Sequence, residues 1–223
     1  MDIYDKYIEE KILPELTFST SRLLSSAHEE LNLLKWTDLE SNIDRDFSNL
    51  AKKYCLKAFE NFKIKYKIKL SISVPDLILD FFIEGKSYSK KIELKSTKST
   101  TGRLRGSMIK SLDPNVWTII CKRNGDKFII RCGRYYLGME FSTHEKFQDR
   151  SPRPSLNFNR FQKFDEKPIT TLTNKSNAFW KSYALSALTR VLDPQQHSWQ
   201  DDLVKEIIKI VLNNPGKFDK FKK

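Results

Sequence analysis

The residues of this chain best equipped for chemistry are Asp76, in Val74-Pro75-Asp76, and Glu93 and Lys95, in Lys91-Ile92-Glu93-Leu94-Lys95. Two carboxylates and an ammonium gathered at a strand edge can hold a divalent cation beside a water molecule, an outfit for cutting phosphodiesters. Whether they gather depends on two strands. Alternate side chains of a strand point to opposite faces, so Leu77, Leu79, Phe81 and Ile83 share one face, and Asp76, Ile78, Asp80 and Phe82 share the other. Ile92 and Leu94 likewise point one way, and Lys91, Glu93, Lys95 and Thr97 the other. The link Glu84-Gly85-Lys86-Ser87-Tyr88-Ser89-Lys90 is polar and contains Gly, which predicts a hairpin loop between antiparallel strands. Folding back there returns Glu93 to the neighbourhood of Asp76 or Asp80, and a different register would make Asp80 the ligand.

Pro75-Asp76, a hairpin, Glu93-Leu94-Lys95 and then Ser96-Thr97 together resemble the PD-(D/E)XK nuclease superfamily, and within it type II restriction endonucleases of the EcoRV-like branch. The likeness covers about residues 70 to 135. It implies an α/β restriction-endonuclease-like fold with a mixed central β-sheet flanked by α-helices. It also implies Mg²⁺-dependent, sequence-specific hydrolysis of double-stranded DNA that leaves 5′-phosphate ends. On this resemblance Asp76 and Glu93 bind Mg²⁺ with help from the Leu94 carbonyl, and Lys95 orients or helps deprotonate the attacking water. One site per subunit cuts one strand, so cutting both strands of a palindrome implies a two-fold symmetric homodimer. A structure-specific or repair nuclease, resembling a junction resolvase, would use the same three residues. In a nucleic-acid-binding protein without catalysis the carboxylates would be incidental.

Composition points the same way. Lys and Arg outnumber Asp and Glu by 40 to 28, a formal charge of +12, which favours a polyanionic partner, nucleic acid before membrane. The excess is local: Lys86 to Arg134 holds thirteen Lys or Arg against three acids, so the field surrounds the candidate residues. Cys55, Cys121 and Cys132 are widely spaced and lack zinc-type pairing with His, as expected of reduced cysteines in a cytoplasmic protein. The charged N-terminus and the lack of a long apolar run argue against secretion and membrane insertion.

At 223 residues the chain suits one domain: a helical N-terminal part over about 1–62, a catalytic core over about 63–138, and recognition loops with C-terminal helices over about 139–223. Helical spacing predicts helices over Ser19 to Leu34 and Ile43 to Phe62. Alternation predicts a strand over Tyr66 to Ile72. A short helix is predicted over Arg103 to Leu112, stopped by Asp113-Pro114. Val116 to Cys121 and Phe128 to Cys132 follow as strands around Asn124-Gly125, a tight-hairpin signal. Glu140 to Asn177 reads as a structured loop region, and Phe179 to Leu192 and Trp199 to Leu212 as amphipathic helices.

Further candidates surround the central three. Glu40, Asp44 and Asp46 could add an acid from the preceding helix. His28, His144 and His197 lack a partner at metal or nucleophile spacing and read as surface or packed residues. Ser96, Thr97, Lys98, Arg103 and Arg105 follow the Glu-x-Lys strand closely enough to contact the DNA backbone. Arg153, Asn157, Asn159 and Arg160 sit in a Pro-braced segment and are of types that read guanine and adenine edges. The alternative for that segment is a loop pinned to the core by Leu156, Phe158 and Phe161.

Overall fold

The computed structural model describes residues 2–34, 40–63, 65–97, 101–107, 113–125, 127–140, 155–172 and 199–214. In space the chain groups into two compact units. The first comprises Met1–Arg105, Asp113–Met139 and Leu156–Thr173; the second comprises Gly106–Leu112, Glu140–Ser155 and Asn174–Lys223.

The first unit opens with a helix in three pieces: α1 (Ile3–Tyr7), a π-helical turn (Ile8–Ile12) and α2 (Leu13–Ser25). Pro14 offers no N–H to the preceding turn, and that turn takes the wider π geometry. The helix therefore begins well before Ser19, where apolar spacing predicted its start. It stops at Ser26, and α3 (His28–Leu33) follows as a separate short piece. α4 (Glu40–Glu60) extends the second predicted helix and buries Phe47, Leu50, Ala51, Tyr54, Cys55 and Ala58, the face that 3.6-residue periodicity places on one side.

Next come β1 (Lys69–Ser73), β2 (Leu77–Ile83), β3 (Lys86–Thr97), β4 (Arg103–Arg105), β5 (Trp117–Asn124) and β6 (Lys127–Arg134). All but β4 form one mixed sheet in the order β1-β2-β3-β5-β6, antiparallel except for the parallel pair β3 and β5. The fold is thus mixed α/β, with helices packed on a mixed sheet. Leu77, Leu79, Phe81 and Ile83 of β2 are all fully buried and join one core with Ile92, Trp117, Ile119 and the apolar faces of α2 and α4. Burying such side chains is worth about 2 kcal/mol each, and a slip of one residue would turn all four outward. The core thereby fixes the register that presents the opposite face of β2 and β3.

Three local predictions need correction. The β2-β3 link is a two-residue turn, Glu84-Gly85, closed by the pair Ile83 and Lys86. Both central residues have positive φ, 48° and 78°, the type I′ pattern that suits twisted strands. Lys86 to Lys90, read as loop for its polarity, is paired strand at the exposed end of the sheet. Ser96 and Thr97 belong to β3 itself, opposite Cys121 and Lys122, in keeping with the alternation that put Thr97 on the Glu93 face, rather than following the strand as backbone-contacting loop. Finally, Arg103 to Arg105 is strand rather than helix, because it joins a small sheet of order β4-β8-β7 with β7 (Met139–Glu140) and β8 (Ser155–Asn157); residues 108–112 lie outside the described residues.

After β6 the chain makes α5 (Tyr135–Gly138), and beyond β8 a 3-10 turn, Phe158–Arg160. This later segment is pinned: Leu156, Phe158 and Phe161 are buried, the Cys132 and Gln162 backbones bond each other at 3.0 and 2.9 Å, and Arg131 donates to the carbonyls of Asn159 and Phe161. A Cβ on Gly138 would fall 1.8 Å from a ring carbon of Phe161. Gly138→Ala is therefore expected to lower stability by about 1–3 kcal/mol through overpacking, and a melting temperature equal to that of the parent would refute the fit.

An acidic face of α1 and the π turn is tied to the sheet. Lys90 pairs with Asp5 at 2.7 Å and Glu9 at 3.4 Å, while buried Arg134 pairs with Glu9 at 3.1 Å and lies 4.2 Å over the Trp117 ring. Asp2 caps α1 by accepting the N–H groups of Tyr4 and Asp5, and it also accepts the Tyr88 hydroxyl at 2.6 Å. The Tyr88 bond first, then the Asp5 N–H, depress its carboxyl from 3.8 to about 2. A depressed folded pKa stabilises above the unfolded value and is lost as pH falls towards the folded one. Asp2→Asn should thus lose stability at neutral pH and show a flatter decline between about pH 4 and 2; melts with unchanged acid slopes would count against this role.

In the second unit α6 (Trp199–Asn213) bears out the predicted C-terminal helix; Glu206 and Lys209 pair on it at 2.6 Å, and Ile207, Ile210, Val211 and Leu212 are exposed. The helix predicted over Phe179 to Leu192 lies outside the described residues. Among the described residues no helix is long and apolar enough to cross a membrane.

Candidate active site

Asp76 ends the turn between β1 and β2, one residue before the ladder pair Leu77 and Ile92. Its carboxylate reaches along β3 where β2 has stopped: Oδ1 accepts the Leu94 N–H at 3.0 Å. A strand residue sends its N–H and C=O to the same side, so the Leu94 carbonyl leaves β3 on the Asp76 side as well. Glu93 and Lys95 share the opposite face from Ile92 and Leu94, as strand alternation predicts, and their charges meet at 2.9 Å.

A second lysine completes the group. Lys91 Nζ lies 2.8 Å from Asp76 Oδ2 and 2.5 Å from Glu93 Oε2, so one ammonium joins the two carboxylates. The Glu93 side chain is only 7% exposed. A carboxylate that deep is costly without counter-charge, and Lys91 and Lys95 supply it from either side. Partial burial by itself would lower the Lys91 pKa, but its bonds to Asp76 and Glu93 outweigh burial and raise it above the ordinary lysine value. The ammonium is thereby kept charged. Strand alternation had placed Lys91 on this face, yet nothing local signalled that it would bridge the acids.

Two carboxylate oxygens converge on one cation, one from the turn before β2 and one from β3; oxygens of this kind suit a hard divalent ion, whose remaining ligands would be a carbonyl, water and phosphate. Asp76, Glu93 and the Leu94 carbonyl fit Mg²⁺ in this sense. Among the described residues no group of three or more His, Cys, Asp or Glu is placed to hold a metal ion.

Asp80 is not part of the group. It stands opposite Ser71 and Ser89, four residues along β2 from Asp76, or about 13 Å at strand rise. Asp46 is exposed on α4, and the side chains of Glu40 and Asp44 lie outside the described residues. His28 is exposed at the start of α3, while His144 and His197 lie outside.

The same sheet face continues past Lys95 to Thr97, with Ile120 and Lys122 on β5 and Arg131 on β6. Lys122 Nζ sits 5.8 Å from the centre of the Phe158 ring, beside Gly102, whose carbonyl accepts the Phe158 N–H at 2.8 Å. Lys122 was missed in the sequence because it is one basic residue among many; its place depends on the parallel pairing of β3 and β5. Of the proposed DNA contacts, Ser96 and Thr97 are half-buried at the end of β3, and Arg103 is exposed on β4. Asn157 uses its side-chain oxygen to accept the Asn159 N–H at 2.9 Å. Asn159 and Arg160 are exposed on the pinned turn, with Arg160 reaching the Met139 carbonyl at 3.5 Å. Lys98, Arg153 and the Arg105 side chain lie outside the described residues. Compared with protein-family models, curated proteins and solved structures, the chain matches none.

Proposed function

We propose that this protein is a type II restriction endonuclease that hydrolyses double-stranded DNA at a short sequence with Mg²⁺, acting as a homodimer. The observation that carries this reading is the convergence of Asp76, Glu93 and Lys95, with Asp76 3.0 Å from the Leu94 nitrogen and Glu93 2.9 Å from the Lys95 ammonium. Asp76, Glu93 and the Leu94 carbonyl would hold Mg²⁺, which when bound acidifies a water and offsets charge developing on phosphate. Lys95, held by Glu93, would orient the attacking water and donate to the anionic oxygens of the transition state. Attack by the water leaves 5′-phosphate and 3′-hydroxyl ends. The basic stretch from Lys86 to Arg134 attracts the DNA backbone. Arg103, exposed on β4, and Lys122, on the Glu93 face of the sheet, would add to that attraction. Asn159 and Arg160, raised on the pinned turn, are better placed to read bases than Asn157, whose side-chain oxygen already serves the turn.

The decisive experiment is to incubate the protein with a long duplex and Mg²⁺ and to sequence the ends. Discrete ends at one short sequence support the proposal. Cutting that requires branches or lesions supports a junction-resolvase-like nuclease using the same site. DNA bound but left intact in both Mg²⁺ and Mn²⁺ would sink both nuclease readings.

A further inference from the structure

We propose that Lys91 is a tethered counter-ion that occupies the cation position between Asp76 and Glu93 and must leave it before a divalent metal binds. The inference rests on the metal-dependent reading of this site and adds a residue that the Asp, Glu-x-Lys pattern does not include. Lys91 Nζ touches one oxygen of each acid, at 2.8 and 2.5 Å, so the ammonium stands between the two carboxylates that would hold the metal. Two cations cannot share that point.

The two lysines are not equivalent. Lys95 is 24% exposed and meets the Glu93 oxygen that Lys91 does not use, whereas the Lys91 side chain is 41% exposed and has open solvent to withdraw into. When Lys91 leaves, Glu93 keeps Lys95 as its partner, so the exchange strands no buried carboxylate. Charge sharpens the point. Two acids and two lysines sum to zero, and adding a divalent ion makes the site positive until a phosphate enters. Lys91 therefore weakens metal binding in the absence of DNA and, once displaced, remains on its strand within side-chain reach of the incoming phosphate. It acts as a positioning residue that keeps the acids together in the unloaded protein.

The test is calorimetric titration of the DNA-free, full-length protein with MgCl₂ and, separately, MnCl₂. Lys91→Met removes the competing charge and should tighten binding about tenfold. Lys91→Arg keeps the charge and should bind as weakly as the parent. Asp76→Asn, which retains an acceptor for the Leu94 N–H, identifies the heat that belongs to this site. Circular dichroism confirms that each variant is folded. Tighter binding by Lys91→Met alone supports the proposal. Equal or weaker binding by Lys91→Met overturns it while the metal site stands. No metal binding by the parent and by either folded Lys91 variant overturns the metal reading and this inference with it.

Discussion

Lys95→Ala is expected to slow Mg²⁺-dependent DNA cleavage by about 10² to 10⁴-fold, the range for losing a positioned proton-transfer group or transition-state donor. Binding should change little. The chain carries a formal charge of +12, and affinity for a phosphate backbone is shared among many contacts, each adding about one unit of salt slope. Nor should the metal-free site collapse, because Glu93 there keeps the Lys91 ammonium at 2.5 Å. Single-turnover cleavage and a binding isotherm, measured on one duplex in the same buffer, separate the two quantities. Near-normal cutting by the folded variant would remove Lys95 from the chemistry. Equal losses in cutting and binding would make it a DNA contact rather than a catalytic group.

Asp76→Asn should lose Mg²⁺-dependent cleavage to a similar degree, since one of the two charged oxygens facing the cation position is gone. Asn keeps a carbonyl oxygen for the Leu94 N–H, so the variant tests charge without stranding that donor. Asp76→Ala removes both and should also lose about 1–3 kcal/mol of stability for an unsatisfied backbone group. Asp80→Ala is the matched control: its partners across the ladder are Ser71 and Ser89, well along β2 from the acids. It should cut at a near-parental rate. An inactive Asp80→Ala beside an active Asp76→Asn would mean that the working register differs from the one described.

Strand alternation is a local property, and it was enough to put Lys91, Glu93 and Lys95 on one face of β3 and the apolar residues of β2 on the other side from Asp76. Helical spacing similarly exposed most of the buried face of α4: of Phe47, Leu50, Tyr54 and Leu56, which repeat at intervals visible in a short window, the first three are buried and Leu56 is partly so. The failures are equally physical. Lys86 to Lys90 looked like loop because polarity was taken for absence of structure, yet an exposed strand end pairs through its backbone whatever its side chains. The start of the first helix was misplaced although its early turns bury Ile8, Ile12, Leu13 and Leu16, because the π turn before Pro14 shifts their spacing away from the 3.6-residue period. Arg103 to Arg105 became strand because β8, about fifty residues later, pairs nearby.

What the sequence by itself determined, then, was which residues could do chemistry and which faces they occupy, because residue type and period are short-range facts. Tertiary structure decided which of the two candidate acids, Asp76 before β2 or Asp80 on it, lies beside Glu93. The burial of Leu77 to Ile83 sets a register that carries Asp76, and not Asp80, past the end of the ladder to the Leu94 N–H. Tertiary structure also drew Lys91 between the two carboxylates. A turn acid and a strand acid held that close need a cation between them, and only the paired backbone brings them close enough to create the need.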